Sequence, residues 1–178
     1  MLYPHVSDRA KLVVGLLSAD AALFSKLKKI LERMFGNSDF ESDISEFPYT
    51  DYYREEMGEN LKRRFLSFDK LFRINGLHKI KLKTNGLEKR FSKNGKRAIN
   101  IDPGYLNLSK LVLFSTKDYS HRIYLNNGIL AEVTLYYKNN TFNPWPWTYP
   151  DYKSDTYIGI FNSIRSRYKN QIDRGSAL

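Results

Sequence analysis

The chain has 178 residues, 42% apolar and 15% aromatic, with a formal net charge of +10, and this suits one domain spanning residues 1–178 with a core that needs no staple. It contains no cysteine, which excludes disulfides, thiolate nucleophiles and cysteine-held zinc. Its three histidines, His5, His78 and His121, are too far apart for a paired-histidine motif, so no metal site is expected, and nothing in the composition names a cofactor.

The N-terminal stretch MLYPHVSDRAKLVVGLL lacks the charged start, long apolar run and cleavage site of a signal peptide. No later run reaches the roughly 18 to 20 apolar residues of a spanning helix, so a cytoplasmic protein with no membrane contact is expected. Residues 11–17 predict a buried first strand. Ser18 or Asp20 then caps a helix that runs to about Phe35 and stops at Gly36, with Leu23, Phe24, Leu27, Ile30, Leu31 and Met34 on one face. Residues 40–50 read as extended. Thr50 or Asp51 predicts the cap of a second helix, with Met57, Leu61, Phe65, Phe68 and Phe72 as its buried stripe. After Asn75-Gly76 the pattern turns to period two, predicting strands over residues 78–85, 89–91, 97–101 and 110–116, the middle pair joined by a turn at Asn94-Gly95. Asp102-Pro103-Gly104-Tyr105 reads as a type II turn, and residues 142–152 as a loop. A last helix, capped near Ser154 or Asp155, buries Tyr157, Ile160, Phe161, Ile164 and Tyr168, with residues 172–178 as a disordered tail. This order predicts an α+β fold, a largely antiparallel sheet of about five to seven strands with helices packed mainly on one side.

The charge is unevenly spread. Between positions 62 and 97, thirteen Lys or Arg stand against Asp69 and Glu88, whereas positions 39 to 59 hold eight acids against Arg54. Read as a strand, residues 78–85 would place Lys79, Lys81 and Lys83 on one face and Ile80 and Leu82 on the other, a footprint for a polyanion such as RNA. The plainer alternative is a lysine-protected sheet edge.

The clearest local signal lies between Asp118 and Tyr137, where two β-rich runs flank Asn126-Asn127-Gly128 and predict a hairpin. A two-residue turn would pair Ile123 with Glu132 and make His121 and Glu132 diagonal neighbours, whereas a three-residue loop would pair Arg122 with Glu132. Either way Glu132, hemmed by Leu130, Val133 and Leu135, needs a basic partner if it is buried. The candidate site is therefore Lys117, Asp118, His121, Arg122, Glu132 and Thr134. His121, Glu132 and Asp118 are the candidate proton-transfer groups, and Lys117, Arg122 and Thr134 the ligand contacts, a set suited to a phosphate ester. The competing account is a polar network closing a sheet edge, which would leave the pair half-exposed, whereas a site would sit in a concavity. Trp145, Trp147, Tyr149 and Tyr152 offer flat faces on which a base could stack, or else pin their loop to the core. Asp51, Glu55, Glu56 and Glu59 suit the start of a helix, or could meet magnesium with Asp102 or Asp118.

The strings KLVVGLLSAD, FPYTDYYREEMG, LKTNGLE, INIDPGYLNLSKLVLFSTKDYSHRIYL, ILAEVTLYY and WTYPDY resemble the prokaryotic family of domain of unknown function 4416, from about Lys11 to Tyr168. The resemblance implies a single intracellular domain and assigns no catalytic role. It also extends to a description of some members as GTP-binding. Gly15-Leu16-Leu17-Ser18 lacks the lysine and second glycine of a phosphate loop, and Thr116-Lys117-Asp118 lacks the residue that separates lysine from aspartate in the GTPase base-recognition motif, so an ordinary GTPase is excluded. Three classes remain: an enzyme acting on a nucleotide or RNA phosphate, a nucleic-acid-binding module, and a non-catalytic interaction or assembly protein using its acidic and basic faces. Binding of a phosphate-bearing ligand, a nucleotide or RNA, ranks first. The oligomeric state is not readable from the chain.

Overall fold

The computed structural model describes residues 9–49 and 53–175. Its nine strands form one antiparallel sheet, β2-β4-β1-β5-β6-β8-β7, with β3 added to β4 and β9 to β8. Strand β1 (Arg9–Ser18) lies in the middle and is buried from Ala10 onward, which its near-continuous apolar run predicts for a strand covered on both faces. Leu12, Val14 and Leu16 project to one face, where they meet helix α1 (Ala22–Phe35) and helix α3 (His78–Phe91). Val13 projects to the other, with Phe65 and the rings of helix α4 (Asp155–Gly175). The α+β class with an antiparallel sheet is thus as expected, with α1 and α3 side by side on one face. No described helix is long and apolar enough to cross a membrane.

Helix α1 follows its sequence signals. Asp20 Oδ1 accepts from the Ala22 amide at 2.9 Å, Phe24, Leu27, Leu31 and Phe35 are buried at helical spacing, and the Gly36 amide closes on Glu32 O. Strand β2 (Ser38–Glu41) and strand β3 (Ser45–Glu46) line the edge of β4.

The expected second helix is not formed. Helix α2 covers only Arg54–Met57, Thr50 and Asp51 lie outside the described residues, and the stripe from Leu61 to Phe72 belongs largely to strand β4 (Lys62–Arg73). Aromatic and apolar residues spaced three and four apart fit a helix, but Phe65 and Leu66 are both buried because both faces of the sheet are covered, Phe65 by the rings of α4 and Leu66 by α1.

The reverse error holds for residues 78–91. They form α3, not strands, so Lys79 and Lys83 are exposed, Lys81 is buried, and no all-lysine strand face exists. Ile80, Thr84 and Leu87 mark the buried helical stripe, which outweighs the short lysine alternation. The Asn94-Gly95 turn is present, but it carries only an isolated bridge between Lys93 and Lys96.

Strand β5 (Asn100–Leu106) runs straight through the expected Pro-Gly turn. Strand β6 (Lys110–Ser115) and the hairpin of β7 (Ile123–Asn126) and β8 (Ile129–Lys138) follow, then β9 (Thr141–Pro144) inside the expected loop, and a short turn of 3-10 helix at Asp151–Lys153. In α4, Tyr157, Phe161, Ile164 and Tyr168 are buried, as their spacing predicts, and the helix continues through Gly175, past the expected start of a tail. Its far end is held by the buried Lys11, whose Nζ donates to Gln171 Oε1 at 2.6 Å and Phe68 O at 2.9 Å and pairs with Asp39.

Candidate functional site

The site arises where two sheet strands part. Strand β5 pairs with β1 from Asn100 to Leu106, but with β6 only from Gly104 onward. The amide and carbonyl of Ile101 point toward the β6 side, where they are taken by side chains of α3. Pro103, two residues on, has the same orientation and no N–H to offer. A proline therefore ends the ladder on that side. Gly104 closes it: a Cβ there would stand 2.2 Å from Val112 O. Into the gap α3 sends two side chains seven positions apart. Lys81 Nζ donates to Ile101 O at 2.9 Å, and Glu88 Oε1 accepts from the Ile101 amide at 2.6 Å.

The result is a cleft of about 540 Å³, within the ~300–1,000 Å³ range of small-molecule pockets. One wall is α3, with Lys81, Asn85 and Glu88, and another is the end of β6 with Ser115, Thr116 and Lys117. Tyr49, Tyr53 and Tyr149 close a third side.

Arg63 lies at the buried inner end. It sits on β4 opposite Leu17 and crosses β1 above Gly15, where any Cβ would come within 3.0 Å of its Nη1. That crossing brings Nη1 to 2.9 Å from Asp102 Oδ2 on β5 and Nη2 to 3.5 Å from Asp151 Oδ2. Asn100 Nδ2 also donates to Asp102 Oδ2, at 2.8 Å. Burial pushes the Asp102 carboxyl up, but Arg63, Lys81 and the hydrogen bonds from Arg63 and Asn100 outweigh it and hold it below its ordinary value. Asp151 goes the other way, because burial, reinforced by the like charge of Asp102, exceeds the attraction of Arg63. Burial likewise raises Glu88 against the pull of Lys81.

The hairpin supplies the remaining wall, in a register that combines both expectations. Asn127 (φ 52°) and Gly128 (φ 74°) form a two-residue turn that sets Asn126 opposite Ile129. A bulge at Leu125 then shifts the pairing, so Ile123 faces Ala131 and not Glu132. Arg122 consequently meets Glu132, as a three-residue loop would have arranged. Its Nε donates to Glu132 Oε2 at 2.7 Å, Nη1 to Ser115 Oγ and Lys117 O, and Nη2 to Tyr149 OH. The two side chains are 3% and 2% exposed, and both line the cleft, so the pair occupies a concavity and not an open edge.

His121 also reaches Glu132, with Nε2 at 3.2 Å from Oε2, yet it is not among the lining residues. Its ring is stacked between Tyr119 and Trp147, and Trp147 stacks in turn on Trp145, which meets Tyr136. The tryptophan rings thus stack on neighbouring protein rings, while Trp147 stays 39% exposed. Thr134 is buried as the extra residue of a bulge in β8, donating to Glu132 Oε1 and accepting from Thr148. Asp118 is exposed and outside the lining, Lys117 is exposed at the rim, and Lys79 and Lys83 lie on the outer face of α3.

Arg63, Glu88 and Asp151 are not marked as site residues by the sequence, whereas Tyr152 enters there only as a stacking face and Arg97 only within the basic stretch. The usable signals were a lone arginine in the alternation Arg63-Phe65-Ser67 and a proline inside a strand. The acidic and basic regions meet within the chain where Glu56 pairs with Arg97 and Glu41 with Arg64; Glu41 also takes Lys28, and Glu59 pairs with Arg54 of its own region. No group of three or more metal-ligating side chains occurs among the described residues, and Asp51 is outside them.

No curated protein and no solved structure matches the chain. A family model does match, over residues 8–168, which takes in the whole sheet and most of α4. The chain therefore belongs to the family described as domain of unknown function (DUF4416).

Proposed function

We propose that the cleft between β5 and β6 binds a small phosphate-bearing ligand of about nucleotide size. The observation that carries this reading is the convergence of five basic side chains, Arg63, Lys81, Arg97, Lys117 and Arg122, on one cleft of about 540 Å³. Arg63, Arg97 and Arg122 are committed to Asp102, Glu56 and Glu132 respectively. Lys81 is different. Its buried ammonium has three donors, and one goes to Ile101 O, so it can still meet an anion. Lys117 adds charge at the rim, and the exposed ring of Tyr149 gives a flat surface beside it. A polymer track along Lys79, Lys81 and Lys83 has less support, since helix α3 buries Lys81 and leaves only Lys79 and Lys83 on its exposed face. Assembly through acidic and basic faces is weakened where those charges pair internally, at Glu56 with Arg97 and at Glu41 with Arg64. The reading is one of binding; His121, outside the cleft lining and held between two rings, gives no support to histidine-driven ester chemistry.

Thermal unfolding with added ribose 5-phosphate, a ribonucleoside 5′-monophosphate and the unphosphorylated nucleoside tests it. The phosphate esters should raise Tm in a concentration-dependent way, reaching about 2.7 kcal/mol of stabilisation at a hundredfold excess over Kd. Lys117→Glu should weaken that binding about tenfold, by reversing one charge near the phosphate. An unchanged Tm at millimolar concentrations of every ester, or an equal shift by the nucleoside, would refute the reading.

A further inference from the structure

The buried end of the cleft carries polar groups that the protein leaves unused. Tyr152 is 3% exposed, lines the cleft, and its hydroxyl has no hydrogen-bond partner among the described residues. Arg63, also 3% exposed, keeps Nε without a partner in the same way. The hydrogen bonds from Arg63 and Asn100 to Asp102 both land on Oδ2, while 26% of that side chain stays open, so Oδ1 can accept another. Buried polar atoms are nearly always satisfied, and a cluster of exceptions in a cleft points to a missing partner.

The chemistry of the partner follows from the mixture. Tyr152 and Arg63 offer donors, whereas Asp102 and Asp151 offer acceptors. A phosphate has only acceptors and would be repelled by the two carboxylates, and an ammonium has only donors and would leave Arg63 Nε unmet. An apolar end would satisfy none of them. A hydroxyl donates and accepts, and two adjacent hydroxyls can meet both kinds of group together. We propose that the inner end of the cleft, around Tyr152, Arg63 and Asp102, is a subsite for a vicinal diol, so that the ligand is a phosphate ester of a diol-bearing sugar. This rests on the phosphate-binding reading above and extends it. The diol can come from a free sugar phosphate or from the ribose of a nucleotide.

Tyr152→Phe is the informative variant, because it removes the unpartnered hydroxyl and keeps the ring that stacks on Phe161 at 5.6 Å. Calorimetric titration compares ribose 5-phosphate with 2-deoxyribose 5-phosphate, and a ribonucleoside 5′-monophosphate with its 2′-deoxy counterpart. In the wild type the diol-bearing member of a pair should bind about tenfold tighter or better, the worth of one or two buried hydrogen bonds. Tyr152→Phe should abolish most of that preference and leave Tm unchanged or raised. The tighter pair identifies the source of the diol. Equal binding of ribo and deoxy esters would overturn the diol subsite while leaving phosphate binding intact. A variant with lowered Tm and an unchanged ribo/deoxy ratio would make Tyr152 structural and also overturn it, and failure of every ester to bind would overturn both readings.

Discussion

Arg63→Ala is expected to cost about 3–5 kcal/mol, the usual penalty for removing one partner of a buried ion pair. The loss comes less from a missing attraction than from what remains: Asp102 and Asp151 stay on the inner wall with no guanidinium between them. Against a typical total of about 5–15 kcal/mol, that is a large share of the stability near pH 7. The loss of stability with rising pH should also grow. In the wild type, Asp102 is held below its ordinary value of 3.8, so its contribution is present above that value and fades as pH falls through the lower folded value. Asp151 and Glu88, both raised by burial, have the opposite sign, and their charged forms cost stability as pH rises through their folded values. Without Arg63, burial raises Asp102 as well, and mild acidification should then stabilise the variant by protonating the carboxylates. Urea unfolding near pH 7 and near pH 5 measures both effects. A variant within about 1 kcal/mol of wild type near neutrality would show that the ion pair is not needed to keep the inner wall.

Gly104→Ala should be nearly as damaging, for a steric reason. Its Cβ would stand 2.2 Å from Val112 O and 2.8 Å from Leu113 Cδ2, one of them backbone that cannot swing aside. Strands β5 and β6 must then separate at their first shared rung, which costs overpacking strain and a ladder hydrogen bond, together about 3 kcal/mol. For a chain of this size that is a fall in Tm of roughly 6–12 °C. The open cleft would extend one rung further toward Leu106. Calorimetry showing an unchanged Tm would mean that the two strands can part without cost at Gly104, contrary to the packing described.

Local signals were legible where they acted locally. Asp20, the apolar face of α1 and Gly36 mark a helix by its own caps and periodicity, and Asn127-Gly128 marks a hairpin by the backbone it permits. The errors fell where distant partners decide. Residues 61–72 carry rings at three- and four-residue spacing, yet β1 and β2 recruit them into a sheet. Lys79, Lys81 and Lys83 alternate over a stretch too short to outweigh the Ile80, Thr84 and Leu87 stripe. The hairpin register moved by one because of a bulge at Leu125, which exposed apolar residues do not announce. Half of the site was readable, since a Glu132 buried among apolar neighbours needs a basic partner, and Arg122 is one of the two that the facing strand offers. The other half was not, because Arg63, Glu88, Asp102 and Asp151 come from four segments that only the parting of β5 and β6 brings together. Pro103 was the overlooked clue; read as a turn residue, it is the residue that leaves one strand edge without a donor.

The central claim is that this parting makes the ligand site, and backbone amide NMR tests it most directly. On titration with a ribonucleoside 5′-monophosphate, the largest shift changes should gather on the two lips of the split, at Asn100 to Asp102 and at Ser115 to Lys117. Shifts confined to the exposed side of α3 around Lys79 and Lys83, or no shifts at saturating concentration, would contradict it.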